Sequence, residues 1–424
     1  MQSQNVPSRR DVIKTTAALS AAAVMSSLGT NFAHAAGSDV LKVGLIGCGG
    51  RGTGAGRDCA KASPRTRIVA MGDLFKDRLD TSREKLAELG EQYKVTDDSA
   101  FVGFDAYQKV IDSDVDYVLL CEPPGFRPRS FAYAVEKGRH VFAEKPIAVD
   151  ATGVRLFLDA VEKAKGKNLA VLAGTVFRHH QTHLDAVKQI HDGYFGDILA
   201  GYSYYNTAGL WHHPRKPEWS DVEWQVRNWL YFNWLSGDHI VEQNIHRIDI
   251  QNWVMRGNPK SAYAMGGRQA RVDPMYGHIY DHFAVEYVYE NEQKQDVKVI
   301  NFCRQQDQTD TRVTEYYVGT KGVTEPSKGP KSDKRTRPLP LAEGYIQEHR
   351  DLIKSVEDGK PLNEGKQVAD TTLASIMGRM SAYSGKLVTW DDAMKSTEDT
   401  FPNNVAFGPM PVPPVAVPGK ATVA

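Results

Sequence analysis

From residue 41 to about 175 the chain alternates short apolar runs with amphipathic stretches. The runs at 41–46, 66–71, 115–121, 139–143 and 169–174 are too short for buried helices and predict strands. The intervening stretches, such as 75–93 and 128–137, carry apolar residues at helical spacing. A succession of strand and helix predicts a parallel sheet with helices on both faces. Beyond 175 the rhythm changes. Residues 181–193 predict a helix, with Leu184, Val187 and Ile190 on one side, and 198–206 predict a strand. One continuous helix is expected over 236–254. Between 261 and 324 apolar and polar residues alternate, as in 281–289 and 297–303, and predict antiparallel strands with one buried face. Helices are expected at 345–358 and 367–385.

The fold class is therefore α/β, a parallel-sheet domain followed by an α+β domain with an open, mostly antiparallel sheet. A length of 424 residues fits two domains better than one. Hydrophobic content of 41% and charged content of 25% are those of a globular chain. A formal net charge of zero argues against a nucleic-acid partner, which would need a concentrated basic face.

The first residues change the picture of where the protein works. Arg9-Arg10 precedes a weakly apolar Ala/Ser/Thr-rich stretch, and Ala33-His34-Ala35 offers small residues for cleavage. This resembles a twin-arginine (Tat) export signal, which implies a periplasmic protein carried out folded. The stretch is too short and polar to span a membrane. The expected division is 1–35 signal, 36–175 dinucleotide-binding domain, 176–400 substrate domain and 401–424 a proline-rich tail. The cysteines Cys48, Cys59, Cys121 and Cys303 lack metal-ligand spacing and are read as buried thiols.

The chemistry begins where the first apolar run meets Gly47-x-Gly49-x-x-Gly52. Gly47 permits a tight turn, Gly49 lets backbone approach a pyrophosphate, and Gly52 lets the next helix pack closely. Asp73 ends the second predicted strand, where a carboxylate accepts from a ribose 2′-OH. It favours NAD over NADP, because its charge repels a 2′-phosphate; Arg51 and Arg57 are the cations placed to compensate. Glu122-Pro123-Pro124 follows the next strand, at the sheet edge where ligands bind.

Gly138-Arg-His-Val-Phe-Ala-Glu144-Lys145-Pro146 completes the pattern. The glycine turn, the Asp after the second strand and this Glu-Lys-Pro element resemble the Gfo/Idh/MocA family of oxidoreductases over roughly 42–387. The resemblance implies a Rossmann domain binding NAD through Gly47, Gly49, Gly50, Arg51, Gly52, Asp73, Glu122, Pro123, Glu144 and Lys145. It implies that Lys145 polarises a substrate hydroxyl. It also implies a proton-handling pair of Asp and, four residues on, His. Here His246 matches and Glu242 replaces the Asp. The sequence departs again where many members carry Thr-Pro-Asn and a His; Glu122-Pro123-Pro124 and Arg127 stand there.

The segment 211–234 holds five of the seven tryptophans. Trp211, Arg227 and Asn228 suit the faces and hydroxyls of a sugar; packing between domains or subunits is the equal alternative. Arg178 and His179 join them as candidate substrate contacts. His239, Glu242 and His246, spaced for one helix face, are a permissive divalent-metal set, although no metal is expected.

The function expected is hydride transfer between a tightly held NAD and a sugar, sugar derivative or polyol. The alternatives are redox-neutral, NAD-assisted glycoside cleavage or sugar–sugar oxidoreduction, and a sugar-binding protein without catalysis. A homodimer or homotetramer is expected.

Overall fold

The structure is a computed structural model and describes residues 40–332 and 338–421. The expected signal, 1–35, lies outside the described residues.

Six parallel strands form the first sheet: β1 (Leu41–Ile46), β2 (Thr66–Asp73), β3 (Ala100–Val102), β4 (Tyr117–Leu120), β5 (His140–Ala143) and β6 (Val171–Ala173). Their order is β3-β2-β1-β4-β5-β6, so the winding reverses between β1 and β4. The central strands are buried on both faces, which is why they read as continuous apolar runs rather than alternations. The sequence reading missed β3, an edge strand of three residues, too short to show a period.

The second sheet is built from β7 (Ile198–Thr207), β8 (Ser261–Gly267), β9 (His282–Glu290), β10 (Asp296–Gln305), β11 (Arg312–Gly319), β12 (Gly322–Thr324) and β13 (Val388–Thr389). The order is β12-β11-β7-β10-β9-β8-β13. Only the β7–β10 pair is parallel; the other neighbours are antiparallel, as the alternation predicted.

One face of this sheet packs on the helices Ile245–Val254 and Gly365–Ser384, the latter buried along most of its length. The opposite face is an aromatic surface. Tyr202 stacks on Tyr316 and Tyr204 on Phe302, at 5.0 and 5.3 Å between centroids.

Late segments return to the first domain. The helix Leu341–Glu357 packs against the helix Gly50–Ala62, and Asn363 bridges to Val171 beside β6. The proline-rich tail lies on the surface, with Phe401 and Phe407 inserted among aromatic residues of both domains.

The helix expected over 236–254 is broken. Asp238, at φ 74°, caps a short helix His239–Glu242, and the chain restarts at Ile245. The apolar period ran through the break because Ile240, Val241, Ile245, Ile248 and Ile250 on both pieces are buried.

Candidate active site

At the carboxyl edge of the first sheet a cleft of roughly 600 Å3 opens beside the reversal of strand order. Gly47 adopts φ +86°, and a side chain there would collide with the backbone of Cys121 and Glu122. One on Gly52 would strike the backbone oxygen of Gly47, whereas one on Gly49 would project into open space. The helix Gly50–Ala62 starts with no side-chain cap and no acidic residue in its first turn. Its free N–H groups and dipole therefore suit a pyrophosphate. The residues present fit a dinucleotide.

Asp73 lies at the adenosine end. Its carboxylate accepts from Cys48 N at 2.6 Å and Phe75 N at 2.8 Å. Arg51 lines the cleft, but its guanidinium is taken by carboxylates: Glu144, Asp58 at 3.2 Å and Glu348 at 3.3 Å. It also lies 4.5 Å above the Tyr345 ring. Arg57 turns to Glu88 and Lys85. Neither arginine is free for a 2′-phosphate. Arg78, which sequence reasoning passed over, does line the cleft and donates to His213 Nε2 at 3.0 Å.

Glu144 is buried beside Arg51. Burial opposes its ionisation, but the charges of Arg51, Lys145 and Arg127, with the Arg51 hydrogen bond, together outweigh burial and hold the carboxyl below its ordinary range. The Lys145–Pro146 peptide is cis. Arg127, itself buried, donates to the backbone oxygens of Glu122 and Pro146 and so ties the turn after β4 to the turn after β5.

Lys145 Nζ donates to the backbone oxygen of Glu242 at 2.7 Å and lies 3.3 Å from its carboxylate. The expected Glu242–His246 pairing is thus corrected: the Glu242 carboxylate meets Lys145, and among the described residues no hydrogen bond joins it to His246. His246 takes no hydrogen bond from the described residues. It opens into a second cavity of roughly 340 Å3, shared with Tyr205, Phe177, His180, His183, Arg247 and Tyr345. Burial, with the Lys145 and Arg247 charges, holds its imidazole well below the usual histidine range. A bond from Tyr205 Oη to Gln243 Oε1, 2.9 Å, stands between this cavity and the cofactor cleft, which Gln243 lines.

The permissive metal set does not assemble. His239 is buried against Phe283 and beside Asp238. Among the described residues no group of His, Cys, Asp and Glu could hold a metal.

Several expected substrate contacts have other duties. Arg178 forks onto Asp249 at 3.0 and 2.9 Å and lies over Trp253. His179 is buried between Asp351, at 2.6 Å, and Glu364. Asn228 is fully buried and bonds the backbone of His213 and Trp224. Trp224 and Trp234 are packed in an apolar cluster shared by both domains and the tail.

Trp211, Trp229 and Arg227 line the cofactor cleft rather than the His246 cavity. Arg227 bridges to Asp77 at 3.1 Å, and its guanidinium lies 3.9 Å over the Phe75 ring. Phe407 of the tail sits 5.0 Å from Phe104 and 6.1 Å from Phe75. Trp211, Arg227 and Trp229 therefore form a clasp along this cleft, and Phe407 of the tail packs on Phe75 and Phe104, which line it. The sequence showed an aromatic excess there, but not its partner.

Comparisons with known proteins agree with this geometry. Residues 41–172 match the family described as oxidoreductase family, NAD-binding Rossmann fold, Gfo/Idh/MocA. A glycosyl hydrolase family 109 protein of Porphyromonas gingivalis is 28% identical over 177 residues, 41% of this chain and 36% of that protein. An inositol 2-dehydrogenase of Klebsiella pneumoniae is 32% identical over 159 residues, 38% of this chain and 44% of that protein. The chain spans less than half the length of these curated relatives. The scyllo-inositol dehydrogenase structure from Lactobacillus casei with NAD(H) and scyllo-inositol superposes with a TM-score of 0.63 at 19% identity. That match covers 83% of this chain and 99% of the other. An oxidoreductase structure from Thermotoga maritima gives 0.66 at 20% identity, covering 84% and 99%. Residues 41–172 are accordingly similar to the NAD-binding Rossmann domain of the Gfo/Idh/MocA oxidoreductase family, and the chain shares the two-domain fold of these structures.

Proposed function

We propose that the chain is an NAD-dependent oxidoreductase acting on a sugar, sugar derivative or polyol. The observation that carries this reading is one juxtaposition. The anion-ready glycine turn and Glu242 line one cleft, Glu242 holds Lys145, and the Lys145 charge reaches unbonded His246 in the adjoining cavity. The inositol dehydrogenase named among the relatives, and the solved structure titled with NAD(H) and scyllo-inositol, support the substrate class.

Bound NAD supplies a hydride acceptor at its nicotinamide carbon. The ammonium of Lys145, fixed by Glu242, stabilises an alkoxide forming on the substrate. Neutral His246 takes the hydroxyl proton, since none of the described residues occupies its ring nitrogens. Asp73 and the occupied state of Arg51 support NAD over NADP. The test is Lys145→Ala: cofactor should remain bound while turnover falls by about 10²–10⁴. Wild-type rates would remove Lys145 from the mechanism.

A second reading has a specific observation behind it. The clasp suits a cofactor that stays bound and is reduced and reoxidised within one cycle, as redox-neutral glycoside cleavage requires. The family 109 glycosyl hydrolases among the relatives fit it. Mass spectrometry of denatured protein decides first whether NAD is retained. Cleavage of a glycoside without change in total NADH would then favour this reading.

Export through the Tat route belongs to the same proposal, and N-terminal sequencing of periplasmic protein should start near Ala36. The aromatic outer face of the second sheet, with Tyr263 and Met265 exposed beside it, supports a homo-oligomer joined through that face. A Tyr204→Asp chain running as a monomer beside a larger wild type would bear this out.

A further inference from the structure

We propose that Asp238 is a positioning residue: it holds the single helical turn His239–Glu242 so that Glu242 presents both its backbone oxygen and its carboxylate to Lys145. The role rests on the oxidoreductase reading of Lys145 and deepens it. Asp238 lines neither the cleft nor the His246 cavity, so its effect on chemistry passes through other residues. Its backbone sits at φ 74° and ψ 161°, a region that glycine enters cheaply and other residues almost never do. Gly237 before it also has positive φ, so two such residues stand in succession. A side chain persists in that conformation only where its contacts over-determine it.

The contacts are on the carboxylate, which is fully buried. Oδ1 accepts from His239 N at 2.5 Å, the first N–H of the short helix. Oδ2 accepts from Tyr280 N at 2.8 Å and from Tyr383 Oη at 2.6 Å. Tyr280 precedes β9, and Tyr383 lies in the helix Gly365–Ser384, so one carboxylate ties the turn to two elements of the second domain. The Asp238 backbone oxygen accepts from Val241 N and Glu242 N, each at 3.0 Å. Burial raises the carboxyl to about 6 against these donors and the charge of buried Arg271, so the group is ionised at neutral pH. A helix of four residues has no stability of its own, and its cap decides its place. Among the described residues both hydrogen bonds of the Lys145 ammonium run to the last residue of that turn.

The test compares the native full chain with Asp238→Gly, which removes the carboxylate and relieves the backbone. Brief acetylation with acetic anhydride, followed by peptide mass spectrometry, reads the rate at Lys145 against exposed Lys76 in the same molecule. The loosened ammonium should be labelled roughly 10-fold faster relative to Lys76, the scale of one charge-assisted hydrogen bond. Half-buried Lys42, in the first sheet, should keep its wild-type ratio. With scyllo-inositol and NAD, kcat should fall and KM change little. In a Lys145→Ala chain the same substitution should lower the residual rate no further. An unchanged Lys145 ratio, a rise shared by Lys42, or a further loss in the Lys145→Ala chain would each overturn the assignment. Should Asp238→Gly not fold, Tyr383→Phe removes one donor to the same carboxylate and should speed Lys145 labelling to a smaller extent; an unchanged ratio there would also overturn it. Wild-type protein that turns over no scyllo-inositol would count against the polyol reading, and the labelling ratio would still decide the role of Asp238.

Discussion

Lys145 and Glu242 form a nearly enclosed ion pair at 3.3 Å, with side chains 12% and 8% exposed, and so join the first domain to the second. The same ammonium donates to the Glu242 backbone oxygen, which fixes it without the carboxylate. Glu242→Gln should therefore leave Lys145 in place while lowering kcat by about 10-fold or more, with KM little changed. Steady-state kinetics with an oxidisable polyol checks this. A KM effect alone would make Glu242 a substrate contact.

The pH profile should report His246. Its imidazole is held below the ordinary value near 6.5, so the base form survives as pH falls through that value. The acid limb of kcat/KM should therefore lie below 6.5. Lys145→Met removes one of the charges that depress it and should shift the limb of the residual activity upward. A limb at the ordinary histidine value in both proteins would exclude His246 as the base.

Arg227 is the charged member of the clasp. Arg227→Ala removes the bridges to Asp77 and the cover on Phe75 but touches none of the proposed reacting groups. NAD release, followed by dilution and fluorescence, should quicken by about 10-fold, the scale of one partly buried charged contact. Single-turnover chemistry should be unaltered. Unchanged release would assign the segment to domain packing alone.

Arg127 should prove structural for the whole sheet edge. Its guanidinium satisfies two buried carbonyls on different turns. Arg127→Met should lower stability by about 2–3 kcal/mol, read from denaturant unfolding. Arg127→Lys should not restore it, because an ammonium lacks the planar fork.

Acid should weaken the fold. Burial lowers His140 to about 4, His183 to about 3 and His278 to about 4. The folded chain thus binds fewer protons than the unfolded chain below 6.5. Their contribution is complete above that pH and shrinks as pH falls toward 4, by at most roughly 1.4 kcal/mol per pH unit for each histidine. His179 has the opposite sign. Burial opposes its charge, but Asp351 and Glu364 raise it to about 10, so its contribution is present below 6.5 and lost as pH rises through 10. Melting temperatures between pH 7 and 5 that stay flat would contradict the first part.

The sequence by itself determined the two-domain order, the parallel sheet, the mostly antiparallel second sheet and the glycine turn. These are local matters. Periodicity records which faces are buried, and a glycine at φ +86° records a turn no other residue enters cheaply. It also singled out Lys145 and His246, because the Glu-Lys-Pro element and a histidine at that place carry a family resemblance. Only the tertiary structure decided the partners. Glu242 joined Lys145 because the fold brings the turn after β5 against the end of the short helix His239–Glu242, and helical spacing cannot report a partner 97 residues away. Arg178 and His179 went to carboxylates 71 and 172 residues away, and the tryptophans to the cofactor cleft and an apolar cluster. Long polar and aromatic side chains take whichever complementary group the fold brings within a few ångströms, and distance along the chain carries no record of that choice.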